Sequence, residues 1–364
     1  MKIIYVTTGL GIGGAENVVC NLADNMYSKR HNVLIISLTG EVKVKPQKNI
    51  EIISLNLNKN ILQNIKKYFH LRKIITRFKP DIVHSHMIHA NIFSRLIRLT
   101  TNIPVLISTA HSKNEGGRLR MMLYKITDAI PDISTNVSQE AVDEFINIGA
   151  THPGRMIVVH NGVDCERFSF SVVNRITRRR ELGITENTKL LLSVGRLTEA
   201  KDYPNLFNAI AKIGSVFDFK LAIIGTGEKE SELKALVKQL NIDDKILWLG
   251  ARQDIDEWLS AADLFVLSSA WEGFPLVILE AMSCARLIVS TDAGGIAEAM
   301  GSKDFLVPVS HAEELSRKII DILNATEEQQ RAICEGNRKR ILELYSLEQC
   351  GEKWVELYSY FLNR

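Results

Sequence analysis

The chain has 364 residues, of which 46% are hydrophobic and 24% charged, and its formal net charge is +3. This composition is that of a soluble globular protein, and the length favours two domains. No apolar run reaches the roughly 18 residues that a bilayer-spanning helix needs, which excludes a membrane-spanning segment of that kind.

The first predicted strand, KIIYV, leads into the glycine-rich stretch TTGLGIGGAE and then into NVVCNLADNM, which has helical spacing. Gly9, Gly11 and Gly14 satisfy G-x-G-x-x-G, a pattern that lets backbone N–H groups approach an anion at a helix N-terminus. The motif alone is compatible with a dinucleotide, with another phosphate or with a tight turn that binds nothing. A dinucleotide site also expects an acidic residue at the end of the second strand. Glu41 follows that strand too late for this role.

Further strand patterns follow at NVLIISL, DIVHSH, PVLISTA, DISTNVS and RMIVVHNG, with helical patterns between most of them. This βα alternation predicts a parallel sheet with helices on both faces. The next segment, SFSVVNRITRRRELGITENT, is polar and basic, and we interpret it as a linker and the entry to a second domain. The alternation then restarts at KLLLSVG, FKLAIIG, KILWLG, LFVLSS, RLIVST and FLVPV.

The predicted fold class is therefore α/β, with two consecutive doubly wound, Rossmann-like domains. We place them at residues 1–168 and 169–345. The amphipathic segment 346–364 is expected to form a helix that crosses back to the first domain. Ligands of doubly wound sheets bind at the carboxyl ends of the strands, so we expect the two facing sheet ends to form a cleft.

Charge is unevenly distributed along the chain. From Lys59 to Lys125, thirteen Lys or Arg stand against Asp81 and Glu115, so this stretch carries +11 and the remainder −8. A solvated helix face is one interpretation. The other is a surface that meets anionic lipid head groups or a diphosphate acceptor. Nucleic acid is not an expected partner, because no nucleic-acid motif is present and the rest of the chain is acidic.

The second half of the chain carries candidate binding residues at several strand ends. Arg196 and Lys201, in SVGRLTEAKDY, lie just past a predicted strand. Two fixed cations there can neutralise a diphosphate and a developing leaving-group charge, although an exposed basic loop would look the same. AIIGTGE then forms a second strand-to-glycine turn with Gly225 and Gly227.

The segment SSAWEGFPLVILEAM predicts a strand end, a loop and a helix that starts near Leu276. Pro275 suits the first turn of this helix, and a phosphate would lie well at its N-terminus. Glu272 lies in the loop and Glu280 about one turn into the helix. The two carboxylates form an acid–base pair or hydrogen-bond sugar hydroxyls. STDAGGIAE repeats the strand–glycine–helix arrangement.

In this order, the motifs resemble a retaining glycosyltransferase of the GT-B fold, glycosyltransferase family 4, over essentially the whole chain. The family hallmark E-x7-E corresponds to Glu272 and Glu280. It is supported by GRLTEAKD, GIGGAE, PDIVHSHMIHAN, VVHNGVD and TDAGGIAE. The sequence departs from the family at EAMSCARLIVS, where members usually have glycine and proline near Ala285 and Leu287. This departure concerns the local turn and not the activity.

The resemblance implies a role for each matching residue. Arg196 and Lys201 would bind the donor diphosphate, and Glu280 the nucleotide ribose. Glu272 would hold donor-sugar hydroxyls, together with the backbone of Gly273 and Phe274.

The resemblance also implies roles outside that segment. His111, in LISTAHS, matches the family histidine near the reacting sugar, although a satisfied core histidine is the alternative. Catalytic roles would therefore fall to Glu272, His111, Arg196 and Lys201. Further donor contacts are implied for Gly13, Gly14, Gly225, Gly227, Leu276 and Val277, and acceptor contacts for His86 and Gly14.

The implied reaction transfers a hexose or N-acetylhexosamine from a nucleotide sugar, expected to be a UDP-sugar, with retained anomeric configuration. No carboxylate is placed as a nucleophile, which favours a front-face path through an oxocarbenium-like state. We expect no cofactor and no metal. His84, His86 and His89 have no carboxylate ligands nearby, and cationic side chains with helix dipoles replace the divalent ion in similar proteins.

The implied acceptor is a glycan on polyprenyl diphosphate, as in bacterial O-antigen, capsule or other surface-polysaccharide assembly. Lys2 leads directly into a strand, so we expect no signal peptide, and five scattered cysteines indicate reduced thiols. We therefore expect a cytoplasmic protein, peripheral at the inner face of the plasma membrane. Residues 59–125 would meet the anionic surface, with Met121, Met122 and Leu123 as apolar insertion points.

Three other functions remain open on the sequence alone. An NAD(P)-dependent oxidoreductase would bind its nicotinamide cofactor at the glycines from Gly9 to Gly14. A non-catalytic sensor would bind a sugar nucleotide without turnover. A UDP-sugar epimerase of the same fold would act on the donor without an acceptor.

Overall fold

The computed structural model describes residues 1–11, 13–58, 61–214 and 216–364. Ile12 of the glycine-rich motif and Lys59, the first residue of the basic stretch, lie outside the described residues. The chain divides into two compact units: unit 1 is Met1–Gly162 with Leu347–Arg364, and unit 2 is Val163–Ser346. The two domain boundaries expected from the sequence lie after residues 168 and 345.

Unit 1 is built on a parallel sheet whose strands are ordered β3-β2-β1-β4-β5-β6-β7. The interiors of β1, β2, β4, β5 and β6 are almost fully buried, as expected when helices cover both faces of a parallel sheet. The sequence patterns missed β3, because this four-residue edge strand has no buried apolar run. The strands are β1 (Lys2–Gly9), β2 (Asn32–Thr39), β3 (Glu51–Ser54), β4 (Ile82–His86), β5 (Val105–Thr109), β6 (Ile133–Asn136) and β7 (Met156–Val158).

Among the described residues of unit 1, five α-helices connect these strands. The glycine-rich motif spans the turn from β1 to the first helix, as the spacing predicted. Ser138 caps the fifth helix, because its side chain accepts a hydrogen bond from the backbone N–H of Ala141. The helices are α1 (Gly14–Ser28), α2 (Ile61–Phe78), α3 (Ile88–Arg98), α4 (Arg118–Ile126) and α5 (Gln139–Asn147).

Unit 2 contains a second parallel sheet, ordered β10-β9-β8-β11-β12-β13. The chain starts at β8, runs outward to β10, and then returns to the other side of β8. The order therefore reverses between β8 and β11, which is where open α/β sheets bind ligands. The strands are β8 (Lys189–Val194), β9 (Phe219–Ile224), β10 (Ile246–Gly250), β11 (Leu264–Leu267), β12 (Leu287–Thr291) and β13 (Leu306–Val307).

In the part of unit 2 that the structure describes, eight α-helices surround this second sheet, and a π-helical turn at Ile341–Tyr345 follows the last of them. They are α6 (Val172–Glu181), α7 (Tyr203–Ile213), α8 (Glu230–Gln239), α9 (Ile255–Ala261), α10 (Leu276–Ser283), α11 (Ile296–Met300), α12 (Ala312–Asn324) and α13 (Glu327–Arg340). The C-terminal helix α14 (Leu347–Leu362) belongs to unit 1.

The basic segment 169–188, interpreted from its composition as a linker and the entry to a second domain, lies near the start of unit 2 and contains helix α6. Ser171 caps this helix by accepting from the N–H of Asn174. Arg179 is only 2% exposed, and its guanidinium lies 3.1 Å from an oxygen of Asp263. The linker interpretation was wrong because this arginine is neutralised by a carboxylate far away in sequence, which local composition does not reveal.

The chain turns sharply after α10, in the segment where the sequence departs from the family. Ala285 has a φ of 52°. Its N–H donates to Met282, and the N–H of Arg286 donates to Ala281, as in a Schellman motif. This position normally favours glycine, because a left-handed conformation costs an L-residue roughly 1–2 kcal/mol.

Replacing Ala285 with glycine should therefore raise the free energy of unfolding by about 0.5–1 kcal/mol, after the greater entropy of unfolded glycine is subtracted. Urea denaturation measures this change. Ala235→Gly, on an exposed face of α8, is the control and should lower stability by about 1 kcal/mol. Equal losses in both variants would contradict a strained turn at Ala285.

Candidate functional site

Loops that follow neighbouring strands of unit 2 come together at the carboxyl edge of its sheet. The loop after β8 contacts the loop after β9, because the N–H of Leu197 donates to the carbonyl of Thr226 at 3.0 Å. It also contacts the loop after β11, since the N–H of Ala270 donates to Ala200 at 2.9 Å. The predicted donor-binding residues of this unit therefore gather at the reversal between β8 and β11.

Gly225 and Gly227 are required by close backbone packing under the loop that carries Arg196. A Cβ on Gly225, whose φ is 140°, would lie 2.0 Å from the carbonyl oxygen of Gly195. A Cβ on Gly227 would lie 2.4 Å from that of Leu197. These glycines thus hold the β8 loop in place, while their predicted donor contacts stay a prediction.

Lys201 and Glu272 form an ion pair across the sheet reversal. The Nζ of Lys201 lies 2.5 Å from Oε1 of Glu272, and their side chains are 18% and 13% exposed. Ser269 donates its hydroxyl to the same carboxylate oxygen at 2.6 Å. From the next loop, Gly294 packs so closely that a Cβ there would lie 2.1 Å from the carbonyl of Glu272. The carboxylate and the ammonium group are therefore held in fixed positions.

This pair offers two kinds of hydrogen-bonding group at one point. The ammonium group of Lys201 has three donors, so it can bind an anion while it contacts Glu272. The carboxylate has further lone pairs for hydroxyl donors. Arg196 lies exposed on the same β8 loop, where its guanidinium can reach an anionic ligand.

Helix α10 starts beside this pair. Pro275 is its N-cap residue and not, as expected, a residue of its first turn. Phe274 is 4% exposed and packs against Tyr345, so only its backbone is available to a ligand. Leu276 and Val277 are half-buried in the first turn. The free N–H groups and the dipole of this helix end favour an anion.

Glu280 lies in the second turn of α10. Burial raises the pKa of its carboxyl group to about 7, and the positive charge of Arg167 opposes the rise. This carboxyl group therefore changes its charge close to neutral pH.

In unit 1, His111 follows β5 at the carboxyl edge of the sheet. Its backbone N–H donates to Oε1 of Glu115 at 2.9 Å, and its Nε2 lies 3.1 Å from Nδ1 of His86. Desolvation lowers the pKa of His111 to about 4, so the ring is neutral at physiological pH. Gly13 is the N-cap residue of α1, and a Cβ on Gly14 would meet open space.

The position of His86 does not fit the predicted acceptor contact. Its side chain is 1% exposed, in the interior of the sheet. His84 is also buried, with its ring nitrogens 2.7 Å from the hydroxyl of Tyr358 and 2.6 Å from that of Thr109. Among the residues that the structure describes, no group of three or more His, Cys, Asp or Glu side chains could hold a metal ion.

Sequence reasoning missed two residues that orient the site, Ser269 and Glu115. Ser269 gave no signal, because serine at a strand end is common. Glu115 did give one, since it is one of only two acidic residues in the basic stretch. A single carboxylate in such surroundings indicates a specific partner, here the backbone of His111.

The basic stretch presents an apolar stripe on helix α4. Leu119, Met122 and Ile126 are 68%, 51% and 67% exposed and lie on one face of the helix. Met121, expected to be an insertion point, is 7% exposed and packs in the core of unit 1. The expectation for Met121 was wrong because neighbouring helical positions point in different directions. Leu123, the third expected insertion point, is half-buried. In the part of the chain that the structure describes, no helix combines the length and the apolar character that a membrane span requires.

Two family models match the chain. The model described as "Glycosyltransferase Family 4" matches residues 12–167, and that described as "Glycosyl transferases group 1" matches residues 174–340. Together they cover most of both units.

Individual proteins resemble the chain to different extents. The UDP-Gal:alpha-D-GlcNAc-diphosphoundecaprenol alpha-1,3-galactosyltransferase of Escherichia coli is 28% identical over 83% of this chain and 81% of its own length. The N-acetyl-alpha-D-glucosaminyl L-malate synthase of Bacillus anthracis is 31% identical, but the match spans 62% of this chain and 59% of that relative. The crystal structure of Anabaena Alr3699/HepE in complex with UDP superposes with a TM-score of 0.85 at 20% identity, over 99% of this chain and 100% of that one.

Proposed function

This chain belongs to the family 4 (group 1) glycosyltransferases and has their GT-B fold of two Rossmann-like domains, and from that premise we propose which sugar transfer it performs. The donor is a UDP-sugar that carries a hexose or N-acetylhexosamine. The acceptor is a glycan on polyprenyl diphosphate, in the assembly of a bacterial surface polysaccharide. The observation that carries the proposal is the sheltered Lys201–Glu272 pair at the sheet reversal of unit 2.

The pair supports a division of labour on the donor. Lys201 and Arg196 bind the diphosphate, whose charge increases as the bond to the anomeric carbon breaks. The N-terminus of α10 adds backbone N–H groups to this cationic environment. Glu272, held by Lys201 and Ser269, accepts hydrogen bonds from hydroxyls of the donor sugar. Glu280 accepts from the ribose.

Retention of configuration is proposed on the same geometry. The carboxylate of Glu272 already contacts a cation and a hydroxyl donor. These contacts suit a carboxylate that orients the sugar better than they suit one that acts as a nucleophile. In a front-face path, the anomeric C–O bond to the diphosphate breaks and the acceptor oxygen bonds to the same face. The acceptor proton passes to the departing diphosphate. The protein then works by positioning and by stabilising charge.

The acceptor part of the proposal rests on relatives and on helix α4. The similar enzyme of Escherichia coli acts, by its name, on a sugar attached to diphosphoundecaprenol. On α4, the exposed apolar stripe of Leu119, Met122 and Ile126 lies among Arg118, Arg120 and Lys125. Apolar groups surrounded by basic ones favour attachment to an anionic membrane surface. We therefore propose a peripheral position on the cytoplasmic leaflet.

A donor screen tests the reaction. UDP-, GDP- and ADP-sugars are each incubated with a short polyprenyl-diphosphate N-acetylglucosamine, and the products are identified by mass spectrometry and NMR. We expect one UDP-sugar to extend the acceptor through an α-linkage. An inverted linkage would contradict retention. Epimerisation of the donor without transfer, binding without turnover, or NADH oxidation would each favour one of the other functions.

The raised pKa of Glu280 predicts a pH dependence of donor binding. Below about pH 7 the carboxyl group is protonated and accepts hydrogen bonds less well, so KM for the donor should rise as pH falls from about 8 to about 6. Turnover at saturating donor should change less. Initial-rate kinetics measure both, and Glu280→Gln should raise KM and flatten its pH profile. A profile that is unchanged by this substitution would exclude Glu280 as the titrating group.

The α4 surface predicts salt-sensitive membrane binding. Each basic residue near an anionic surface contributes about 1 kcal/mol, and this contribution falls off within a Debye length. The protein should sediment with anionic liposomes at low salt. It should not sediment with neutral liposomes, or with anionic liposomes at high salt. Leu119→Ser with Met122→Ser should weaken binding. Val173→Ser, at an exposed position of α6, is the matched control. Equal binding to both lipids, or none at low salt, would favour a soluble acceptor.

A further inference from the structure

A chain of buried polar side chains leads from His111 into the interior of unit 1. His86 contacts His111 through its Nδ1 at 3.1 Å, and its ring packs against that of His84 with centroids 4.1 Å apart. His84 in turn bonds the hydroxyl of Tyr358 on α14 at 2.7 Å. The surroundings of His111 are therefore set by buried groups on strand β4 and on the C-terminal helix.

The second ring nitrogen of His86 differs from both ring nitrogens of His84. Its Nε2 is buried and has no hydrogen-bond partner among the described residues. A buried imidazole nitrogen without a partner costs free energy and is rare in proteins. His84, on the same strand, has partners for both of its nitrogens.

His86 also lines a small cavity in unit 1. The cavity has a volume of about 20 Å³, which is room for one water molecule. Its wall combines apolar groups with polar ones that a water could contact. The lining residues include Val18 and Asn21 of α1, Asn161 of the segment after β7, and Cys350 and Trp354 of α14.

We propose that one water molecule occupies this cavity and hydrogen-bonds Nε2 of His86, and that His86 thereby holds His111 in a single tautomer. His86 is then a positioning residue for sugar transfer. This inference rests on the proposed function, because it assumes that His111 contacts the reacting sugar.

The chemistry of neutral imidazole links these contacts. A neutral ring has one N–H donor and one acceptor nitrogen, so the proton on one ring fixes the proton on the next. Both rings are neutral, because burial lowers the pKa of His86 well below its ordinary value and that of His111 to about 4. The polar groups of the cavity wall orient this water as donor or acceptor toward Nε2 of His86, and Nδ1 of His86 then takes the complementary role toward His111. Because Nε2 of His111 is occupied by His86, the sugar meets Nδ1 of His111.

Substitutions of His86 distinguish the roles of its two ring nitrogens. Asparagine keeps a polar atom near the position of Nδ1, glutamine keeps one near Nε2, and leucine keeps neither. We expect His86→Leu to lower kcat about tenfold or more with little change in KM for the donor. His86→Asn should recover most of this loss, and His86→Gln should recover little. His84→Asn is the matched control, since His84 is equally buried on the same strand.

A loss of kcat in His84→Asn and His86→Leu that simply follows their loss of thermal stability would overturn the positioning role. So would full recovery by glutamine but not by asparagine.

NMR of the protein with ¹⁵N-labelled histidine gives a readout that does not depend on activity. We expect one neutral tautomer for His111 in the wild type and in His86→Asn, and a mixture in His86→Leu. An unchanged tautomer in His86→Leu would overturn the proposal even if transfer is confirmed. If no transfer is found, the same spectra still decide whether the two rings are coupled. A high-resolution crystal structure should show a water about 3 Å from Nε2 of His86. An empty cavity would contradict the proposed water.

Discussion

Replacing Lys201 by alanine is expected to remove about 2–4 kcal/mol of transition-state stabilisation, which is the loss typical of a single electrostatic donor in an active site. The reason is that its ammonium group is sheltered, with the side chain only 18% exposed, and is held against Glu272. Loss of the cation would leave the departing diphosphate less neutralised and release Glu272 from its position. Arg196→Ala should give a loss in the same range through the diphosphate alone.

The measurement is kcat/KM with the donor that the screen identifies, together with thermal unfolding of each variant. Both residues lie in the loop after β8, so the fold should survive. Lys229→Ala is the matched control, because Lys229 lies after the neighbouring strand and its ammonium group pairs with Glu232 at 2.9 Å. Near-normal kcat/KM in either Arg196→Ala or Lys201→Ala would refute its assignment to the diphosphate.

Glu272→Gln is the second change with a large expected effect, and it should lower kcat more than it raises KM. Hydroxyl contacts at the reacting sugar matter most in the transition state, where they orient the anomeric carbon. The amide also removes the negative partner of Lys201 while it keeps nearly the same shape. A loss of about 10²–10³-fold in kcat is expected from the removal of one such contact.

Glu280→Gln provides the comparison, because Glu280 lies on helix α10, just after the loop that carries Glu272, but is assigned to the ribose. It should act mainly on KM for the donor. A double-mutant cycle between Lys201→Ala and Glu272→Gln should show strong coupling, since the two groups touch. If Glu272→Gln and Glu280→Gln instead lose stability and activity in equal proportion, both carboxylates stabilise helix α10 and do not bind the donor.

The two sheets could be predicted from local patterns because a parallel strand buried on both faces is a short apolar run. KIIYV, NVLIISL and KLLLSVG each correspond to an observed strand. The edge strand β3 was missed, since an edge position buries little of its surface.

The candidate site was only partly predictable. Strand ends marked Arg196, Lys201 and Glu272, because loops at the carboxyl edge are where such sheets bind ligands. The direct contact between Lys201 and Glu272 joins residues 71 positions apart. It depends on β11 lying beside β8, an order that no local pattern encodes.

The exposure of individual side chains also depended on the tertiary structure and not on local patterns. Composition suggested a linker in segment 169–188, yet Arg179 is buried against Asp263. Spacing could not show that Met121 points into the core while Met122 points outward. Only the packing of one element on another decides which face is covered.

The sequence by itself determined the βα alternation, the two-unit organisation and the chemical character of the loops, because these depend on neighbouring residues. The tertiary structure alone decided that Lys201 pairs with Glu272, that His86 is buried beneath His111, and that α4 presents an apolar stripe among basic residues. These features arise from contacts between distant segments. Their energies depend on burial and on distance, which the linear order of residues does not contain.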